Sequence, residues 1–203
     1  MEKDKIDQGR RKALTGSVAV VGGVGALSTL WPFVSSMSPS AAALAAGAPV
    51  EVDVSKMEPG QLIQEVYRRK PIWIIRRTPE MVQSLSKVTT KLRDPESEVE
   101  QQPGFAKNEF RSINEEFLVL VGICTHLGCS PEFKPEVGAE GLGASWLGGF
   151  YCACHGSRFD MAGRVFKNVP ANKNLEVPDY HFVSEKRILI GVSKEVSKDE
   201  EVA

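Results

Sequence analysis

The side chains most suited to metal binding or catalysis are four cysteines and two histidines, which lie in two short motifs. The first motif has the sequence CTHLGC and covers residues 124–129, and the second has the sequence CACHGS and covers residues 152–157. Each motif contains one Cys–His pair and one additional cysteine, and the chain has four cysteines in total. Thiolates and neutral imidazoles are ligands for zinc and for iron–sulfur clusters, so this clustering predicts a metal centre.

Two other kinds of site use the same residue types. A tetrahedral Cys2His2 zinc site has the same set of donors, but zinc fingers place paired cysteines before paired histidines, whereas here each motif mixes the two. A catalytic Cys–His nucleophile needs a single pair and leaves the repetition of the motif unexplained. Neither pattern accounts for two motifs that each hold one Cys–His pair and one additional cysteine, and zinc stays an alternative.

The two motifs closely resemble those of the Rieske iron–sulfur subunit of the cytochrome bc1 complex, the ubiquinol:cytochrome c reductase. The resemblance implies that Cys124 and Cys152 bind one iron of a [2Fe–2S] cluster and that His126 and His155 bind the other. Two imidazoles in place of two thiolates raise the reduction potential of a Rieske centre above that of an all-cysteine cluster. The implied activity is the transfer of single electrons.

The same resemblance implies the remaining chemistry and the partners. Cys129 and Cys154 would form a disulfide between the motifs, which persists only in an oxidising compartment such as the bacterial periplasm. His155 would accept a hydrogen bond from ubiquinol and take its proton, and the electron would pass to cytochrome c1. The expected partners are ubiquinol, cytochrome b, cytochrome c1 and the membrane, within a dimeric complex.

Several neighbouring residues are expected to adjust the cluster or its docking. Ser157 would donate a hydrogen bond to a bridging sulfide, whereas Phe159 replaces a tyrosine of many family members and predicts a lower potential. A third loop around Pro170 resembles the proline loop that covers the cluster in this family. Leu127, Gly128 and Pro170 would form an apolar docking tip, and the less favoured alternative for Pro170 is an ordinary turn proline.

The patterns of apolar residues predict the scaffold that holds the motifs. Strands are predicted at residues 50–54, 62–67, 72–76, 117–123, 175–177, 180–183 and 187–192. We expect a turn at Lys70–Pro71 and a helix over residues 78–92, begun by Thr78. The predicted fold is mainly β: an antiparallel β-sandwich with a small cluster-binding subdomain at about residues 122–171.

Two features of this region stand apart from that scheme. Residues 131–149 form a Gly- and Pro-rich insertion between the motifs, to which the sequence assigns no role. His181 lies between Tyr180 and Phe182 in a predicted strand, and we expect it to be structural rather than a ligand.

The N-terminal region predicts a membrane anchor. Residues 13–34 contain no charged side chain, and as a helix they would span about 33 Å, enough for the hydrocarbon core. Basic residues precede this segment and no charge follows it until Glu51, which predicts a cytoplasmic N-terminus, residues 1–12, and a single pass through the bacterial inner membrane. Arg10 and Arg11 resemble a twin-arginine export signal. A cleaved signal peptide is the alternative, because small residues at 41–48 offer cleavage sites.

The segments define the expected domain organisation. After the anchor, residues 35–49 lack charged and aromatic side chains and predict a tether, either a moving hinge or a passive linker. Residues 50–195 would form the periplasmic Rieske domain, and residues 196–203 a charged tail. The net charge of −1 gives no basic field for nucleic acid, so we expect no nucleic-acid partner.

Two further functions use a Rieske centre. One is the small subunit of a periplasmic oxidoreductase such as arsenite oxidase, whose partner would be a molybdenum protein. The other is the soluble ferredoxin-like domain of an oxygenase. The additional cysteines and the anchor argue against the second, because those domains generally lack the disulfide and work in the cytoplasm.

Overall fold

The computed structural model describes residues 7–193, with the backbone alone at residues 45 and 46. The predicted tail at 196–203 lies outside the described residues, as does the first half of the predicted cytoplasmic segment. The chain divides into two compact units, Met1–Ala45 and Ala46–Ala203, and this boundary falls inside the predicted tether.

The first unit contains one long apolar helix, α1, at Gln8–Ser36. Asp7 begins it, because its carboxylate accepts hydrogen bonds from the backbone N–H groups of Gly9 and Arg10 at 2.9 and 3.1 Å. An 18-residue window in this part of the chain has a mean hydropathy of 1.6, and none of that window is buried. By length and composition the helix can cross a membrane, as predicted.

Several hydroxyl side chains of α1 form hydrogen bonds within the helix. The hydroxyls of Thr15, Ser17 and Thr29 donate to backbone carbonyls four residues earlier, at 2.7, 3.0 and 2.8 Å. In a hydrocarbon environment an unpaired hydroxyl would cost free energy, so these internal hydrogen bonds suit a helix that contacts lipid. A short helix, α2 at Ala41–Ala46, follows within the predicted tether.

The second unit is built from short strands that pair antiparallel. Within the described part of this unit the strands are β1 (Val50–Asp53), β2 (Leu62–Tyr67), β3 (Lys70–Arg76), β4 (Phe117–Val121), β5 (Glu132–Lys134), β6 (Gly149–Cys152), β7 (Ser157–Phe159), β8 (Tyr180–Ser184) and β9 (Arg187–Ile190). They form three sheets, with the orders β1-β9-β8, β2-β3-β4 and β5-β6-β7. The mainly β, antiparallel fold is therefore confirmed.

The sheet β2-β3-β4 supplies much of the apolar core. All five residues of β4 are buried, and the side chains of Ile74, Ile75 and Leu118 have no exposed surface. Because β4 is covered on both faces, its sequence is a continuous apolar run rather than an alternating one. β4 ends at Val121, and a side chain at Gly122 would overlap the ring of Trp73, so only glycine fits there.

The hairpin between β2 and β3 corrects the predicted turn. Lys70 and Pro71 lie in β3, opposite Tyr67 and Val66, rather than in a turn. The turn is formed by the two arginines at 68 and 69, with φ of 48° and 63°. Positive φ at both central residues is one of the favoured geometries of two-residue hairpins, because it matches the twist of the strands.

The predicted strand at 175–177 is also wrong. Leu175 and Val177 are buried, which explains their apolar character. However, the backbone groups of this segment bond to three different regions: Leu175 N–H donates to Gly163, Val177 N–H to Gln101, and the Glu176 carbonyl accepts from Val121, each at 2.8 Å. Without a single partner strand, no ladder forms.

The observed helix is shorter than the predicted one at residues 78–92. Helix α3 covers Pro79–Val88 and begins at Thr78, whose hydroxyl accepts the Met81 N–H at 3.4 Å. A 3-10 turn at Thr89–Lys91 completes the predicted range, and a second 3-10 turn lies at Gly104–Ala106 in the polar loop.

Candidate metal centre

The first motif is a tight loop directly after the buried strand β4. The Cys124 N–H donates to the Cys129 carbonyl at 2.7 Å, and the Gly128 N–H donates to the Cys124 carbonyl at 3.0 Å. Gly128 has a φ of +84°, a conformation that other residues rarely adopt. These bonds fold the motif back on itself and bring its two cysteines together.

The second motif is a β-hairpin, which the sequence analysis did not predict. Cys152 ends β6 and Ser157 begins β7, and the two residues are paired in the antiparallel register. The Gly156 N–H donates to the Cys152 carbonyl at 2.9 Å and closes the turn. Strands of three or four residues give too short an alternation to detect, so the sequence shows this motif only as a loop.

A disulfide joins the two motifs. It connects Cys129 with Cys154, whose Cα atoms are 6.8 Å apart and which are separated by 25 residues. The pairing implied by the family resemblance is therefore present. It leaves Cys124 and Cys152 as free thiols, and each has only 2% of its surface exposed.

The two motif histidines lie side by side. The ring centroids of His126 and His155 are 4.8 Å apart, with an edge-to-face angle of 88°. The Nδ1 atom of His126 is buried and has no hydrogen-bond partner among the described residues. An unpaired buried nitrogen costs free energy, and coordination to a metal would remove that cost.

The electrostatics of the free thiols also suit a cation. Burial raises the pKa of the Cys124 thiol, and the nearby sulfur of Cys152 raises it further. Hydrogen bonds from the His126 N–H and the Ser157 hydroxyl act in the opposite direction and lower this pKa. A bound metal ion supplies the positive charge that two adjacent thiolates need.

One alternative sulfur group can be dismissed as a ligand set. The Sγ atoms of Cys129, Cys152 and Cys154 lie within 4.8 Å of one another. Because two of these sulfurs share the disulfide, they cannot act as thiolate ligands. Two free buried thiols and two adjacent imidazoles, one with an unpaired nitrogen, fit a two-iron cluster better.

A third loop closes over the motifs through two hydrogen bonds. The Ser157 hydroxyl accepts the Ala171 N–H at 3.0 Å, so its own proton is free to donate towards the Cys124 side. The Thr125 hydroxyl donates to the Lys173 carbonyl at 2.6 Å. The loop around Pro170 is thus attached to both motifs. Thr125 was missed in the sequence because a hydroxyl inside a motif gives no signal of its partner.

The insertion at residues 131–149 folds against the same region. Trp146 is buried, its indole N–H donates to the Lys134 carbonyl at 3.0 Å, and its ring lies 6.1 Å from that of Phe166. Phe166 precedes the loop around Pro170 by four residues. The insertion therefore packs against the base of that loop, a role that the sequence did not reveal.

The remaining predicted residues divide into buried and exposed groups. Phe159 is fully buried in β7, whereas His155, Gly128 and Pro170 are exposed and Leu127 is 71% exposed. Exposed apolar side chains of this size next to a candidate ligand suit a docking surface.

His181 lies away from the motifs in β8 and is 8% exposed. Its Nδ1 atom is 2.9 Å from the Val192 carbonyl, so it holds the chain just after β9. The structural role expected for it is confirmed.

Comparison with known proteins agrees with this geometry. The Rieske [2Fe-2S] domain family matches residues 96–181, and the family described as ubiquitinol-cytochrome C reductase Fe-S subunit TAT signal matches residues 1–40. The chain is 55% identical over 191 residues to the ubiquinol-cytochrome c reductase iron-sulfur subunit of Allochromatium vinosum, covering 94% of this chain and 92% of that protein. The chain belongs to this Rieske subunit family.

Other similar proteins include a further member of the family and one solved structure. The ubiquinol-cytochrome c reductase iron-sulfur subunit of Bradyrhizobium diazoefficiens is 43% identical over 178 residues, with 87% of this chain and 89% of that protein covered. A chain from a structure titled "Hyperthermophilic respiratory Complex III" is 26% identical, has a TM-score of 0.49, and is covered to 98%, against 86% of this chain.

Family membership identifies the cofactor and the N-terminal segment. The Rieske match includes both motifs and the loop around Pro170, so the metal centre is that of a [2Fe–2S] domain. The match at residues 1–40 includes Arg10, Arg11 and α1, in agreement with the predicted twin-arginine signal.

Proposed function

We propose that this Rieske subunit transfers electrons in the cytochrome bc1 complex, taking one electron and one proton from ubiquinol and passing the electron to cytochrome c1. The observation that carries the proposal is the arrangement of two buried free thiols and two adjacent imidazoles, of which that of His155 is exposed. The names of the relatives contain ubiquinol and cytochrome c, the electron donor and acceptor of the reductase.

The donor set assigns a role to each ligand. Cys124 and Cys152 would bind one iron, and His126 and His155 the other. Once bound, the cluster accepts a single electron at a higher potential than an all-cysteine centre. Ser157 would hold its hydroxyl proton towards the sulfurs, since its oxygen already accepts the Ala171 N–H.

His155 is the residue best placed to meet a quinol. It is exposed, so its outer ring nitrogen can accept a hydrogen bond from a quinol hydroxyl. Negative charge added beside an imidazole makes that imidazole more basic, which couples proton uptake to electron uptake. Leu127, Gly128 and Pro170 would contact cytochrome b and keep water from this nitrogen.

The membrane arrangement follows from the same proposal. Residues 1–12 would lie in the cytoplasm, α1 would cross the bacterial inner membrane once, and the Rieske domain would lie in the periplasm. The disulfide supports this orientation, because the periplasm is oxidising. Residues 35–49 would serve as the hinge along which the domain moves between cytochrome b and cytochrome c1, in a dimeric complex.

Purification of the tagged full chain from detergent-solubilised membranes tests the proposal. Cytochromes b and c1 should copurify, together with the electron paramagnetic resonance signal of a Rieske cluster. Copurification of a molybdenum protein would instead support the arsenite-oxidase type of function, and zinc without acid-labile sulfide would refute both.

A surface variant tests the docking tip separately from the cluster. Leu127→Asp places a charge on a side chain that is 71% exposed, so folding should be unaffected. We expect quinol oxidation to fall at least tenfold with an unchanged cluster signal. Val183→Asp is the matched control, because Val183 is 55% exposed on β8 and should leave turnover intact.

A further inference from the structure

Three arginine side chains are buried in the Rieske domain and meet at one turn. Arg77, Arg111 and Arg164 are 3%, 0% and 2% exposed. Arg77 donates to the Met161 carbonyl at 3.3 Å, Arg111 to the Ala162 carbonyl at 3.1 Å, and Arg164 to the Asp160 carboxylate at 2.8 Å. The turn at residues 160–164 follows directly after β7, the strand that begins at Ser157.

These cations exceed the anions buried with them. Among the buried residues that the structure describes, Asp160 is the one carboxylate, and its ion pair is with Arg164. Arg111 instead donates to neutral oxygens, namely the carbonyls of Ala162 and Leu175 and the side-chain amide of Gln102 at 2.9 Å. Its Nε is buried without a partner in this part of the chain.

Arg111 stays charged in this environment. Burial lowers its pKa to about 10, which is still well above neutral pH. The hydrogen-bond partners of this buried guanidinium are therefore neutral oxygens; Asp160 and Asp94 act on its charge without a salt bridge to it, and Asp160 is itself paired with Arg164.

Short chain connections link Arg111 to the ligand loops. Its guanidinium donates to the Leu175 carbonyl at 2.7 Å. Lys173 precedes Leu175 by two residues, which places the two at most about 7 Å apart along the chain. The Lys173 carbonyl accepts a hydrogen bond from the hydroxyl of Thr125, the residue between Cys124 and His126. The hydrogen bond between Thr125 and Lys173 is exposed, but Arg111 itself is fully buried. Because a charge inside the protein is screened less than a surface charge, we expect its field to reach the metal centre.

We propose that Arg111 raises the reduction potential of the cluster by contributing a buried positive charge in a region where three buried arginines face one buried carboxylate. Reduction adds one negative charge to the centre, and a nearby buried cation stabilises the reduced form more than the oxidised form. The inference rests on the proposed function, because it requires that the [2Fe–2S] cluster be bound.

Gln102→Glu is the decisive variant. It is nearly isosteric, keeps the hydrogen bond to Arg111 and adds a carboxylate that neutralises the buried charge. The guanidinium keeps this new carboxylate ionised. Redox titration in membranes, followed by electron paramagnetic resonance, should show a lower potential with unchanged g-values.

Gln101→Glu is the matched control. It adds the same charge one residue away, where Gln101 is half-buried and its side chain makes an exposed hydrogen bond to the Glu100 carbonyl. Water and salt screen a charge at that position, so its shift should be clearly smaller. Equal shifts in the two variants, or no shift with Gln102→Glu, would overturn the proposal.

Two substitutions of Arg111 separate its charge from its packing. Arg111→Lys keeps the charge and should retain the potential, whereas Arg111→Gln removes it and should lower the potential in the chains that bind a cluster. A cluster-loaded Arg111→Gln protein with an unaltered potential would contradict the proposal. If this variant does not accumulate, the Gln102→Glu titration alone decides. Failure of the proposed function would differ from all of these results, because the unmodified chain would then give no Rieske signal.

Discussion

The sheets β2-β3-β4 and β5-β6-β7 are held together by different forces. The first has strands of five to seven residues, and its last strand is buried along its whole length. The second has strands of three or four residues, and the disulfide and the hydrogen bond between Ser157 and the third loop hold its hairpin in place. The stacked rings of Trp73 and Phe150, 5.4 Å apart, connect the two sheets.

This contrast separates stability from function within one domain. Burial of apolar surface stabilises the long-stranded sheet whether or not a metal is present. A sheet as short as β5-β6-β7 buries too little to fold alone, so it depends on covalent, polar and metal-ligand bonds. These bonds also fix the donor atoms in place, which is what a metal centre needs.

Loss of a metal ligand should have the largest effect, because it should abolish the cluster while leaving the scaffold sheet β2-β3-β4 folded. Cys152→Ser removes a buried thiol of the candidate centre, and we expect complete loss of the cluster absorbance and of the electron paramagnetic resonance signal. Far-UV circular dichroism should keep the β signal of the scaffold. Unfolding of the whole domain in this variant would show that the two sheets are not independent.

Truncation of a core side chain should instead act on the stability of the scaffold sheet. Leu118→Ala creates a cavity in β4, where Leu118 is fully buried, and should lower the free energy of unfolding by about 2–5 kcal/mol. Guanidinium unfolding of the detergent-solubilised chain, followed by far-UV circular dichroism, measures this change. Val66→Ala is the control, because Val66 is 62% exposed on β2 and its loss should change stability by less than about 0.5 kcal/mol.

Removal of the disulfide should act mainly on the short-stranded sheet. The double variant Cys129→Ala, Cys154→Ala opens a loop of 25 residues, which corresponds to about 3 kcal/mol of lost stabilisation. We expect the cluster absorbance to disappear at a lower temperature, with a smaller change in the scaffold transition. Equal displacement of both transitions would mean that the sheets unfold as one unit.

The smallest expected effect is a change of potential without a change of stability. Phe159→Tyr adds a hydroxyl in β7, which should raise the reduction potential by a new hydrogen bond near the ligands. Phe133→Tyr adds the same group on β5, against Phe150 rather than the motifs, and should leave the potential unaltered. Redox titration of both proteins checks this difference, and an unchanged potential in Phe159→Tyr would count against it.

The accuracy of the sequence predictions follows the same division. The strand at residues 62–67 was placed correctly because burial selects its side chains, and the prediction at 117–123 covers β4 but runs two residues past its end at Val121. The turn at 68–69 was missed because arginine is not a typical residue for positive φ. The segment at 175–177 was assigned to a strand because burial without pairing leaves the same apolar pattern.

The sequence by itself determined the donor types, the anchor helix and the mainly β class, because thiols, imidazoles, charge and hydropathy are properties of residue identity and local spacing. The tertiary structure alone decided which partners distant residues find. It placed Trp146 against the base of the third loop, the Ala171 N–H on Ser157, and Arg111 among neutral oxygens. Such contacts join residues 14 or more positions apart or depend on burial from several directions, and no local pattern in a single chain encodes them.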